Sequence, residues 1–130
     1  MKRFTKNPQV QELASINIQC LNIDGINEEK LTLLEDHMLE DNPDILGIQE
    51  TKLTKEALPP NLDITGYQYH VMERSETQKM GGGLILYHKE DIPIRSWTRP
   101  TRSMTKQTAQ EVQWVLLEAQ TTKIAIANVY

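Results

Sequence analysis

The chain has a single cysteine, Cys20. One thiol closes no internal disulfide, and no zinc-ligand spacing surrounds it, so neither a disulfide scaffold nor a zinc finger is expected. That usage implies a reducing intracellular compartment, nucleus or cytoplasm, with Cys20 as a small buried thiol. No apolar stretch reaches the ~18–20 residues that cross a bilayer, which argues against a membrane partner. The basic start, Met1-Lys2-Arg3-Phe4-Thr5-Lys6-Asn7-Pro8, lacks the apolar segment of a secretory signal and reads as a flexible lead over residues 1–12. Strong positive charge is lacking too. A net charge of -4 gives no overall attraction to nucleic acid or anionic lipid, although carboxylates that hold metal ions would contribute to it. Repeats and low-complexity tracts are absent. Gly81-Gly82-Gly83 lacks the Lys-Ser/Thr of a phosphate-binding loop, and close backbone approach between strands explains it better.

What remains is an ordinary globular composition, 38% hydrophobic and 25% charged over 130 residues, fitting one domain over 13–130. Leu13 to Leu21 is an apolar-rich run ending at Asn22-Ile23-Asp24-Gly25, whose Asp-Gly pair marks a turn. Asn27 is a good N-cap, Glu28 and Glu29 suit the first turn of a helix, and Ile26 and Leu31 are spaced as a hydrophobic staple. Leu31, Leu34 and Met38 form one apolar stripe, and Asp41-Asn42-Pro43 ends the helix. The short apolar run Asp44 to Glu50 follows, so strand, helix and strand form a βαβ-like unit with parallel strands. Further strands are expected at Tyr67–Met72 and Leu84–His88. Val112–Ala119 and Ile124–Tyr130 read as an antiparallel hairpin, with Trp114 placed in the core beside Val112 and Leu116. Arg95 to Thr108 reads as a long polar loop.

Two strand ends can carry chemistry: Asn22 with Asp24, and Glu50. If their strands are parallel neighbours, these ends meet on the sheet edge beyond which α/β proteins commonly bind ligands. Mg²⁺ needs hard oxygen ligands and keeps several waters, so one or two carboxylates suffice, while Asn22 is suited to orient a phosphate or a neighbouring group. The structural alternative is a solvated loop acid. In Arg95-Ser96-Trp97-Thr98-Arg99-Pro100-Thr101-Arg102-Ser103-Met104-Thr105-Lys106, four cations (Arg95, Arg99, Arg102 and Lys106) surround Trp97 and suit phosphate contact with base stacking, against the plainer reading of a solvated loop. His37, His70 and His88 are expected at the surface or the edge of the core, without a catalytic role.

The words Leu21-Asn22-Ile23-Asp24-Gly25, Pro43 to Lys52 (with Gln49-Glu50-Thr51), Gly81 to Tyr87 and Ile126 to Tyr130 resemble, in order and spacing, the endonuclease/exonuclease/phosphatase superfamily. Ser75-Glu76-Thr77-Gln78-Lys79-Met80-Gly81 and Glu111 to Val115 bring the resemblance nearest to the apurinic-type endonuclease domain of non-LTR (LINE-type) retrotransposons. It implies an α/β (α+β) fold: the N-terminal half of a four-layer α/β sandwich, a mixed β-sheet with one main helix. The chain is expected to supply about one sheet, its inner face covered by an absent C-terminal half or by self-association. The resemblance further implies Glu50 as principal Mg²⁺ or Mn²⁺ ligand, Asn22 as a catalytic hydrogen-bonding residue, and Asp24 as a possible further metal-site carboxylate. DNA would be the substrate of a metal-dependent endonuclease, with a reverse transcriptase following the domain. The tyrosine or arginine, Asp-x-Asn and Ser-Asp-His words of the family would lie past Tyr130, so the fragment is expected to cleave little by itself. A non-catalytic interaction or nucleic-acid-binding remnant and a phosphatase of the same superfamily remain the alternatives.

Overall fold

The one helix among the described residues starts where its cap dictates. In the computed structural model, which describes residues 15–54, 61–73, 82–97 and 111–130, Asn27 is extended and its side chain accepts a hydrogen bond from Lys30 N at 2.8 Å. This satisfies one of the orphan amides of α1 (Glu28–Asp41), and Glu28 and Glu29 sit at its positive end. Asn42 closes the helix in the left-handed conformation, donating its N–H to Met38 O before Pro43. Leu31, Leu34 and Met38 are the buried stripe, as the periodicity predicts.

That stripe covers one face of a four-stranded mixed sheet of order β1-β2-β4-β3. Its strands are β1 (Ile18–Asn22), β2 (Ile45–Gln49), β3 (Tyr67–Met72) and β4 (Leu84–Lys89). β1 and β2 run parallel, joined by the helix, with Asn22 opposite Gln49. β4 pairs antiparallel with both β2 and β3. Alternation then divides the side chains. Leu46, Ile48, Ile85 and Tyr87 meet the helix together with Leu53, Leu62 and Ile64, whereas Ile45 and Leu86 point to the opposite face.

The sequence leads one to expect about one sheet, and the described residues form two. Residues β5 (Ile94–Ser96), β6 (Val112–Glu118) and β7 (Lys123–Val129) make a three-stranded antiparallel sheet. The β6–β7 hairpin has Val112 opposite Val129 and Glu118 opposite Lys123. Val115 packs against Ile45 and Leu86, with Ile16, Ile94 and Ile126 around them, so the chain itself covers part of the inner face of its first sheet. The described residues thus stack as helix, mixed sheet and second sheet.

Three local expectations are corrected. Arg95 and Ser96 belong to β5 and not to a loop, because their backbone pairs with Leu116 and Val115. Trp114 is half-buried and packs edge to face on Trp97 at 5.8 Å. The positions on β6 that turn to the first sheet are Gln113, Val115 and Leu117, one residue out of phase with the expected face. Cys20 is exposed, since β1 is an edge strand at the end of its sheet. Residues 98–108, with Arg99 and Arg102, lie outside the described residues, as does the whole lead, residues 1–12.

Polar groups sew the two sheets together. Asn128, 4% exposed, donates Nδ2 to Ile48 O at 3.2 Å, Ile85 O at 3.0 Å and Gln113 Oε1 at 3.2 Å. Its Oδ1 accepts from Gln49 Nε2 at 2.6 Å. Gly47 makes room for this amide, because a Cβ there would stand 2.9 Å from Asn128 Oδ1. Gln113 Nε2 continues the chain to His70 O at 2.8 Å.

His70 and His88 lie beside this seam. His88 is buried and His70 half-buried, and burial lowers both imidazole pKa values, that of His70 also through the His88 charge. Each ring therefore binds a proton less readily folded than unfolded. Their stabilising contribution is complete above the unfolded value near ~6.5 and is lost as the pH falls below it. Urea midpoints measured from about pH 7.5 to 5 should decline, and a His70→Gln variant should decline less. Identical slopes for variant and wild type would count against this coupling.

Candidate active site at the ends of β1 and β2

Parallel pairing brings the ends of β1 and β2 side by side, and the backbone ladder continues past both strands. Ile23 N donates to Gln49 O at 3.0 Å, Gly25 N to Glu50 O at 2.6 Å and Ile26 N to Thr51 O at 3.0 Å. On the other side Thr51 N bonds Gly83 O at 3.1 Å and Lys52 N bonds Gly82 O at 2.8 Å. The segment Glu50 to Lys52 is thus clamped between the β1–α1 turn and the glycines preceding β4. Gly83 N in turn donates to the buried carboxylate of Glu111 at 2.6 Å.

The clamp imposes an uncommon backbone. Asp24, Glu50 and Lys52 have φ of 50°, 59° and 61°, the left-handed region that costs a non-glycine residue about 1–3 kcal/mol. Gly83, at φ 88°, packs so closely on Thr51 that a Cβ would collide with its hydroxyl. Strained residues held by their surroundings cluster at functional sites, and here three of them fall within one rim.

At that rim the sequence-predicted pair meets. Asn22 Nδ2 donates to Glu50 Oε1 at 2.6 Å, and Asn22 Oδ1 accepts from Asp24 N at 3.2 Å. Asn22 is exposed and Glu50 half-buried, so the carboxylate stands between the strand layer and solvent. Asp24 is differently engaged. Its carboxylate pairs with Lys52 Nζ at 2.7 Å, and the ammonium beside it holds the exposed acid below the usual carboxylate range. Lys30 Nζ, from the helix, donates to Ile23 O at 2.7 Å and Asp24 O at 2.8 Å and braces the same turn. Among the described residues no group of three or more His, Cys, Asp or Glu could enclose a metal ion. The donors at the rim instead suit a hard cation held by one carboxylate and completed by water, as Mg²⁺ commonly is.

The remaining candidates lie elsewhere. Arg95 is ion-paired with Glu118 at 2.8 Å on the second sheet, and Trp97 packs on Trp114. Arg99 and Arg102 fall outside the described residues. His37 bonds Gln19 at 2.8 Å on the helix side. Sequence reasoning missed Lys52, Thr51 and Glu111 as the props of Glu50, and Gln49, Gln113 and Asn128 as the seam behind it. A signal existed for the last group: polar residues at inward-facing positions of otherwise apolar strands need buried partners.

A profile of the Endonuclease/Exonuclease/phosphatase family matches residues 14–124. The chain belongs to this family. Its fold is also that of solved structures at low identity. AP endonuclease LMAP from Leishmania major shares 19% identity at a TM-score of 0.69, covering 100% of this chain and 44% of that one. A truncated Caenorhabditis elegans TDP2 shares 14% at 0.60, over 88% and 45%. An AP endonuclease from Archaeoglobus fulgidus shares 17% at 0.54, over 85% and 40%. The chain spans less than half the length of each. No curated protein matches it.

Proposed function

We propose that the chain supplies the metal-binding part of a metal-dependent phosphodiester hydrolase, an endonuclease acting on DNA. The observation that carries this is the hydrogen bond from Asn22 to Glu50 at a strained strand rim, in a member of a nuclease and phosphatase family. Glu50 would bind Mg²⁺ or Mn²⁺ directly, and Asn22 would fix the rotamer of that carboxylate and face the phosphate. When bound, the ion would neutralise charge developing on the phosphate oxygens. Asp24 acts, in this reading, through its pair with Lys52, which ties the β1–α1 turn to the Glu50 segment.

The groups that would activate water and protonate the leaving oxygen belong to a C-terminal half following Tyr130, in the apurinic-type arrangement of LINE-like retroelements with a reverse transcriptase beyond it. In this reading Glu50 and Asn22 without those groups would bind the ion weakly and support little cleavage. Binding of Mn²⁺ followed by electron paramagnetic resonance tests the first step directly. Glu50→Gln should weaken it about tenfold or more, since removing the one carboxylate leaves only neutral donors. Equal binding by wild type and variant would remove Glu50 from the metal site. Nicking of supercoiled and abasic DNA by a form carrying the downstream half tests the second step. Cleavage abolished by Glu50→Ala supports the hydrolase, and DNA binding without cleavage supports a non-catalytic remnant.

A further inference from the structure

The seam between the sheets contains a second constellation, remote in role from the Asn22–Glu50 rim. His70 Nε2 and His88 Nε2 face each other at 3.3 Å, with ring centroids 5.3 Å apart and planes inclined by 18°. The other nitrogen of each ring is already engaged. His88 Nδ1 lies 2.9 Å from Lys89 O, and His70 Nδ1 lies 3.0 Å from Ser96 Oγ. A carbonyl only accepts, so His88 carries its proton on Nδ1 and presents a bare Nε2 to its neighbour. With both rings neutral, His70 then donates from Nε2 and accepts from the Ser96 hydroxyl.

We propose that His70 and His88 form a two-histidine site for a borderline divalent transition ion of the Zn²⁺, Co²⁺ and Ni²⁺ class. Two nitrogens held at ~2.05 Å by a tetrahedral ion stand about 3.3 Å apart, the separation already present. Such an ion sets the ring centroids about 5.2 Å apart, whereas a straight N–H···N bond of equal length would set them at about 5.6 Å. The lone pairs are therefore tilted off the line joining the nitrogens. Metal-bound histidines characteristically fix their second nitrogen on a backbone carbonyl or polar side chain, and both rings do so here.

Loading needs little rearrangement. The His70 proton moves from Nε2 to Nδ1, Ser96 Oγ turns from donor to acceptor, and both Nε2 lone pairs meet the ion with no net proton released. The lowered imidazole pKa values keep those lone pairs free near neutral pH. β3 is an edge strand and His70 is half-buried, so water can complete the coordination from that side. Imidazole donors without a carboxylate select this class over Mg²⁺, which separates the site chemically from the Glu50 rim.

Calorimetric titration of the full chain with Zn²⁺, in excess Mg²⁺, should show one ion per chain. Replacing Zn²⁺ by Co²⁺ should give the visible bands of a four-coordinate ion. His70→Ala, at a half-buried position that spares the core, should weaken binding at least about tenfold, and Ser96→Ala by about tenfold through loss of ring orientation. Glu50→Gln should leave Zn²⁺ binding unchanged. His88→Gln serves only if circular dichroism shows it folded. Absence of binding up to about 1 mM Zn²⁺, or undiminished affinity in folded His70→Ala, would overturn the site and leave a proton-sharing pair. Neither outcome bears on the proposed hydrolase function.

Discussion

Gly83→Ala should destabilise the chain by about 2–5 kcal/mol, a large effect for one methyl group. Two costs add. The φ of 88° puts an L-residue in the left-handed region, at about 1–2 kcal/mol. The new Cβ would also collide with Thr51 Oγ1 while standing 3.1 Å from Lys52 N and 3.3 Å from Leu53 N, and overpacking of a tight site costs about 1–3 kcal/mol. Gly66 separates these terms. It has φ 90° and nothing within 4 Å of its notional Cβ, so Gly66→Ala should show only the conformational cost. Urea denaturation of both variants gives the comparison. Equal losses would mean that contact with Thr51 does not hold the rim in place. Removing the hydroxyl, in Gly83→Ala with Thr51→Ala, should recover part of the deficit, as coupled neighbours do.

Gly83 also marks how far the sequence could be read. The helix was legible because its signals are local: the cap at Asn27, two acids behind it, and a stripe at three- and four-residue spacing. The parallel pairing of β1 and β2 followed from the helix between them, and with it the meeting of Asn22 and Glu50. What stayed hidden depends on contacts between distant segments. Glu111 lies 28 residues from Gly83, and nothing near either predicts their hydrogen bond. The alternation of Val112, Trp114 and Leu116 points Trp114 to the wrong face because Gln113 interrupts it. The amide looks solvent-facing until Asn128 and His70 O are seen to satisfy it. The second sheet was underestimated for a related reason, since a hairpin pattern does not say what its inner face will meet.

Asn128→Asp isolates that long-range seam with no change of shape. The atom of Asn128 that faces Ile48 O and Ile85 O must be its amide nitrogen, because both partners only accept. An ionised aspartate would set an oxygen against those two carbonyls and against Gln113 Oε1, at a position 4% exposed. One favourable contact, from Gln49 Nε2, would remain. A buried charge without adequate partners costs about 3–5 kcal/mol, so near pH 7.5 the variant should be among the least stable at any single position. Acid should relieve it. The carboxyl pKa would be raised in the folded state above its unfolded value near ~3.9, so folding takes up a proton as the pH falls through the raised value. Protonated, the group donates one hydrogen bond again, and the difference from wild type should shrink toward about 1–3 kcal/mol by about pH 4. Comparing wild type and variant at each pH cancels the opposite trend of His70 and His88, which weaken both proteins in acid. A deficit that stays constant with pH would show that the amide does not donate to the strand carbonyls. The loss should also reach the rim: a displaced residue 128 would pull on Gln49, its remaining partner, which immediately precedes Glu50, so hydrogen exchange should quicken at Ile23, Gly25 and Thr51 along with β6 and β7.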